Sequence, residues 1–162
     1  MKSRRSCREA ALQALYQFDT VGEFSAESFQ FFLDHFQSQH ELDDADAAER
    51  VVADQFCRDL VKGVVDNVSF LDGEISRASE HWSVERMARV DRNILRIATF
   101  EMAFRLDVPR KVSINEAIEV SKRFSAPDAP MFIKAFKETG REFHVRLVDQ
   151  GNESPIRRMR RY

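Results

Sequence analysis

Glycine and proline are scarce in this chain, five and four residues in 162, so little interrupts regular structure and long helices are favoured. No stretch alternates apolar and polar residues with period two, so strands are not indicated, and there is no internal repeat or low-complexity tract. No apolar run approaches the ~18 residues a membrane helix needs. The early apolar segment after Arg8 is broken by Gln13 and lacks a cleavage-site pattern. The cytoplasm is therefore the expected compartment, with no membrane partner. The two cysteines, Cys7 and Cys57, have no CxxC spacing and no histidine at ligand spacing, which argues against a zinc site or a disulfide framework and for free thiols. Signatures of catalysis are missing too. His35, His40, His81 and His144 follow Phe32, Gln37, Ala78 and Arg141 three residues earlier, so the Glu-x-x-His signature of di-iron bundles is absent. There is no H-E-x-x-H, phosphate-cradling glycine loop or nucleophile elbow. The expectation is a protein that is not an enzyme and holds no cofactor and no metal.

What the chain does contain is an ordinary globular balance, 43% hydrophobic and 32% charged with 14 phenylalanines, long enough for one domain with a proper core. The formal net charge of −2 argues against a surface that binds nucleic acid everywhere. The charge is unevenly placed, however. Lys2, Arg4, Arg5 and Arg8 make one end basic, Arg157, Arg158, Arg160 and Arg161 the other, and 41–54 is strongly acidic. The spacing of Glu41, Asp43, Asp44, Asp46 and Glu49 and their lack of glycine do not suit an EF-hand; a solvated loop and helix start is the better account.

Helical spacing recurs along the chain. Ala11, Leu12, Leu15 and Phe18 define a first helix over 4–19, with Arg5, Arg8 and Glu9 toward solvent. Ser25 is a plausible N-cap for a second, carrying Phe29, Phe32, Leu33 and Phe36. Residues 37–46 read as a loop. Val51, Val52, Phe56, Leu60 and Val64 mark a third helix, Asn67 a junction, and Leu71 and Ile75 a short helix after it. Trp82 and Ser83 start a unit whose central helix carries Met87, Ile94, Ile97, Ala98, Glu101 and Met102, with Asp91, Arg92 and Arg96 on its polar side. Pro109 ends that helix near Leu106, and Ser113 to Glu116 fits a capping box that starts the next. A last helix begins near Asp128, a candidate N-cap, and runs through Phe132, Phe136, Phe143 and Leu147. Beyond Asp149 there is too little apolar material to pack, so 149–162 reads as a flexible basic tail. The fold class is all-α.

Three segments in order carry a family likeness: RRSCREAALQALYQFD (Arg4 to Asp19), VDRNILRIATFEM (Val90 to Met102) and DVPRKVSINEAIEVSKRF (Asp107 to Phe124). Together they resemble the NusB family of bacterial transcription antitermination factors, over most of 4–136. The resemblance implies a compact bundle of about seven helices in two packed halves, with 1–148 as one helical RNA-binding domain. It implies an adaptor that binds boxA, a single-stranded RNA element of ribosomal RNA transcripts, together with NusE, a small-subunit ribosomal protein, in the antitermination complex on RNA polymerase.

The resemblance also weights particular residues. From composition alone, Lys2, Arg4, Arg5 and Arg8 form a solvated basic terminus; the family uses its arginine-rich start on boxA RNA, which assigns them phosphate contacts. Tyr16 packs at the edge of the core stripe with its hydroxyl in water, and the family places a tyrosine there in its functional surface. Phe132 reads as core packing against Phe136, yet the family sets an aromatic beside the RNA in an FVNG-like motif next to the Asp128 cap. This chain has Phe132-Ile133-Lys134-Ala135, which keeps the aromatic and adds the Lys134 charge but loses the Asn-Gly pair. Asp91, with Arg92, matches positions the family uses against NusE. Homodimerisation is known among relatives and would cover the arginine face.

Two rivals follow. One is a NusB-like paralogue that keeps the scaffold as a protein-interaction module without RNA binding. The other is the helical domain that precedes a methyltransferase domain in some ribosomal RNA cytosine methyltransferases, whose glycine loop this sequence lacks.

Overall fold

Few breakers and strong apolar periodicity give helices throughout. The computed structural model describes residues 4–40, 47–79, 83–105 and 107–129, with the backbone alone at 36–40 and 47–54. The described residues form five α-helices: α1 (Arg4–Val21), α2 (Ala26–His40), α3 (Ala47–Ala78), α4 (Arg89–Phe104) and α5 (Arg110–Phe124), with a short 3-10 turn at Val84–Arg86. The all-α expectation holds. The helix expected beyond Asp128, most of the acidic loop, the helix end at Leu106 and the C-terminal tail lie outside the described residues. No helix among the described residues is long and apolar enough to cross a membrane. The chain divides into two compact units, Met1–Val68 and Ser69–Tyr162.

In the first unit, α1 buries Cys7, Arg8, Ala11, Leu12, Ala14, Leu15 and Phe18, the stripe its i, i+3, i+4 spacing demands, with Arg8 added. The helix stops where Gly22 takes φ 78°, and the Gly22 and Glu23 amides both donate to the Phe18 carbonyl, at 2.9 and 3.0 Å. Glycine adopts that left-handed conformation without steric cost. Phe24 then folds back edge-on to Phe18, ring centroids 6.4 Å apart. Ser25 caps α2 as its position suggests, its Oγ accepting from the Ser28 amide at 3.2 Å. The sequence puts a loop from Gln37; α2 instead continues to His40, because Gln and Ser are tolerable in a helix and no proline or glycine intervenes. In α3, Asn67 leaves helical geometry at φ −124°, ψ 16°. Its Nδ2 donates to the Gly63 carbonyl at 2.7 Å, a side-chain bond to the preceding turn of the kind that bends helices. That is the expected junction, realised as a kink.

In the second unit, α4 is buried along 93–104 without a gap. The sequence places Arg96 on a solvated face, and the structure corrects this. Arg96 is 5% exposed, and its Nε and a terminal nitrogen donate to the two Asp72 carboxylate oxygens at 2.7 and 2.8 Å. Its other terminal nitrogen donates to Asn93 Oδ1 at 2.9 Å, and Asn93 Nδ2 donates to the Arg89 carbonyl at 2.8 Å. The planar guanidinium satisfies its fork inside the unit, which lets it be buried. Phe104 stacks on Phe100 at 5.1 Å and meets Phe70 edge-on at 5.9 Å.

The capping box at Ser113 is a second correction. Pro109 is the N-cap of α5, at φ −58° and ψ 136° and without a side-chain cap, and its carbonyl accepts from the Val112 and Ser113 amides. Ser113 is thus inside the helix and buried, and its hydroxyl donates to the fully buried Glu101 Oε2 at 2.7 Å. A buried carboxylate needs donors far more than an exposed helix start needs a cap, so the serine goes to Glu101. Arg105 and Asp107 pair in two bonds of 2.9 Å across the connection from α4 to α5.

Two substitutions test this account of the second unit by urea denaturation. Arg96→Ala, which strands Asp72 and Asn93, is expected to lower unfolding free energy by about 3 kcal/mol. Gly73→Ala lies in α3 where an added methyl meets no atom within 4 Å, and it is expected to raise stability by about 1 kcal/mol.

Candidate nucleic-acid interface

An α-helix turns about 100° per residue, so residues four apart lie on nearly one line. Arg4 and Arg8 therefore share a face of α1, and that face is the one turned toward α3. Their guanidinium carbons stand 4.8 and 5.3 Å from the centroid of the Phe56 ring, within the range of cation–π attraction. Arg8 is only 5% exposed, while Arg4 is exposed. This corrects the expectation that Arg8 faces solvent: its aliphatic stem continues the Leu12 and Leu15 stripe, and its charge is spread over an aromatic face. The same end of the helix is fixed by Cys57, whose Sγ donates to the Cys7 carbonyl at 3.6 Å; both thiols are free, and both are buried.

Arg5, about 60° around the helix from Arg8, is exposed. Further along the same outward side come Gln13, Tyr16, Gln17 and Thr20, all exposed, with Tyr16 at 43%. Thr20 Oγ1 donates to the Tyr16 carbonyl at 2.8 Å, a local bond that leaves the Tyr16 ring and hydroxyl outward. Tyr16 thus stands where the sequence puts it, at the edge of the stripe. Lys2, Phe132 and Lys134 lie outside the described residues. Among the described residues no group of histidine, cysteine and acidic side chains is arranged to hold a metal ion.

The remaining candidates belong to the second unit. Asp91 sits in the first turn of α4, where the unpaired helix amides favour a carboxylate. It is half-buried, and its Oδ1 is shielded from water with no hydrogen-bond partner among the described residues. Arg92 beside it is half-buried as well, and Asp128 is exposed in the turn after α5.

Sequence reasoning missed Phe56 as the seat of two arginines and passed over Gln13 and Gln17. A signal for the first existed: Arg8, Leu12 and Leu15 are spaced i, i+4, i+7, which places the arginine in the core stripe.

A model of the NusB family matches residues 5–135. The chain belongs to the NusB family. It is 43% identical over 133 residues to the transcription antitermination protein NusB of Citrifermentans bemidjiense, covering 82% of this chain and 90% of that protein. With the protein of the same name from Geobacter sulfurreducens it is 42% identical over 151 residues, covering 93% of this chain and all of that one, 100%. Among solved structures, T. maritima NusB superposes with a TM-score of 0.69 at 32% identity, covering 86% of this chain and 90% of that one. Apart from Arg4, the three ordered motifs of the sequence fall inside the matched region, and the NusB helical fold agrees with the helices described above.

The geometry separates two kinds of arginine on α1, and stability distinguishes them. Arg8→Ala removes both the stem packing and the contact with Phe56 and is expected to cost about 2 kcal/mol in urea unfolding. Arg5→Ala is expected to stay within about 0.5 kcal/mol of the parent.

Proposed function

We propose that this NusB-family antitermination factor works without catalysing a reaction, as an adaptor that joins boxA single-stranded RNA to NusE on elongating RNA polymerase and so suppresses termination in ribosomal RNA operons. The observation that carries this reading is the exposed side of α1, where Arg5 stands at one end and Tyr16 further along, with the exposed Arg4 at the helix start beside Arg5. Arginines supply phosphate contacts, and an exposed aromatic offers a plane on which an unpaired base stacks. Arg8 contributes by holding the helix on Phe56, so that Arg5 and Tyr16 keep a fixed spacing. Lys2, Phe132, Lys134 and Asp128 extend the RNA surface in this reading on the strength of the family likeness. Asp91, with one carboxylate oxygen lacking a partner, and Arg92 are the proposed contacts for NusE.

A second reading has a specific motive. Phe132-Ile133-Lys134-Ala135 departs from the family's FVNG-like motif, which fits a module that binds NusE and has given up RNA.

Fluorescence anisotropy with boxA RNA and a scrambled control, with and without NusE, decides between them. The adaptor reading predicts tighter, boxA-selective binding when NusE is present, with Arg4→Ala and Arg5→Ala each lowering the slope of log affinity against log salt by about 0.7. No gain from adding this chain to NusE contradicts it. Asp91→Asn is expected to weaken NusE binding about tenfold in calorimetry, as loss of one charge-assisted contact does.

A further inference from the structure

We propose that Gln13 and Gln17 are the base-reading groups of the α1 face, giving sequence selectivity to a strand whose phosphates are held by Arg4 and Arg5. This inference rests on the RNA-adaptor reading above and assigns the readout within it.

The placement comes from the helix itself. Residues 7, 8, 11, 12, 14, 15 and 18 are buried, and Gln13 points directly away from the middle of that stripe. Gln17 lies one turn on, about 6 Å along the axis, with Tyr16 flanking both. Arg5 begins the same face about 12 Å before Gln13. Along this row the long polar side chains are not all spent on the protein. Among the described residues, neither glutamine side chain nor the Tyr16 hydroxyl has a hydrogen-bond partner. The contrast with other glutamines is direct: Gln30 donates to Asp34 and Gln55 to Asp59, each one turn along its own helix. Gln13 and Gln17 have Gln17 and Val21 at those positions, so neither has a carboxylate one turn on; Glu9, one turn before Gln13, is itself engaged.

The chemistry of the carboxamide fits the task. It carries an acceptor oxygen beside two donor hydrogens, the pattern that pairs in two bonds with a base edge presenting a donor next to an acceptor. In single-stranded RNA those edges are open, because the bases are splayed and stacked on side-chain planes. A base resting on the Tyr16 ring has an amide one residue and three residues away to address its edge. Neither amide carries charge, so they add little to the phosphate term. They discriminate instead.

The test is the ratio of boxA to scrambled-RNA affinity, measured by anisotropy with the full chain and NusE present at two salt concentrations. Gln13→Ala and Gln17→Ala, with Gln17→Met to keep the side-chain length, are each expected to cut that ratio about tenfold. Affinity for the scrambled RNA and the salt slope should stay as in the parent. An unchanged ratio in these variants, with a selective parent, overturns the inference and leaves the adaptor reading standing. Equal losses on both RNAs, or a loss of NusE binding with the ratio intact, also overturn it. A parent that shows no selectivity at all removes the adaptor reading and this inference together.

Discussion

The ring of Phe56 beneath the Arg4 and Arg8 guanidiniums governs what the first unit can offer a partner. A cation over an aromatic face is worth about 0.5–1 kcal/mol when exposed and ~2 when desolvated, and Arg8 is nearly out of water. Together with the hydrogen bond from Cys57 to Cys7, the residue beside Arg8, it sets the rotation of α1 about its axis. Rotation is the variable that matters, since a 100° error would turn Arg5 and Gln13 inward. Once Arg8 is committed to the core edge, Arg5, Gln13, Tyr16 and Gln17 are held outward on a rigid helix. A site on a helix keeps its spacing better than one on a loop.

The second unit uses polar burial in a different way. Arg96 answers both oxygens of Asp72 and one of Asn93, and Glu101 takes the Ser113 hydroxyl. The contacts with Asp72 and Ser113 join α4 to α3 and α5 through directional bonds, so the helices are fixed in register as well as by apolar packing. Such groups are costly to bury and more costly to leave unpaired. One carboxylate oxygen in the unit, Asp91 Oδ1, is shielded and unmatched. That asymmetry distinguishes Asp91 from the paired Asp72 and Glu101 and is why it is the proposed contact for a partner's donor.

Most of the architecture was legible because it depends on period and punctuation. The stripes of α1 and α2, the Ser25 cap, the break at Asn67 and the exposed Tyr16 follow from spacing and local chemistry alone. The errors share one cause. Residue type alone makes Arg8 and Arg96 solvent-facing cations and Ser113 a capping hydroxyl, whereas their partners are Phe56, Asp72 and Glu101, which are 48, 24 and 12 residues away in sequence. Long-range pairing is not encoded in a window of one helix. At Arg8 the i, i+4, i+7 spacing with Leu12 and Leu15 points inward, against the general preference of arginine for exposure. The family motifs point to a candidate surface by order and spelling, but which arginine is exposed and which one holds the helix on Phe56 follows only from three-dimensional placement.

The central claim, that RNA lies along the outward face of α1, is tested most directly by photocrosslinking. The complex of this chain with NusE and boxA RNA carrying 4-thiouridine would be irradiated, digested and mapped by mass spectrometry. The account predicts crosslinked peptides from α1 that contain Tyr16, with Arg8 unmodified. Crosslinks confined to α4 or α5, with α1 peptides untouched, would contradict it.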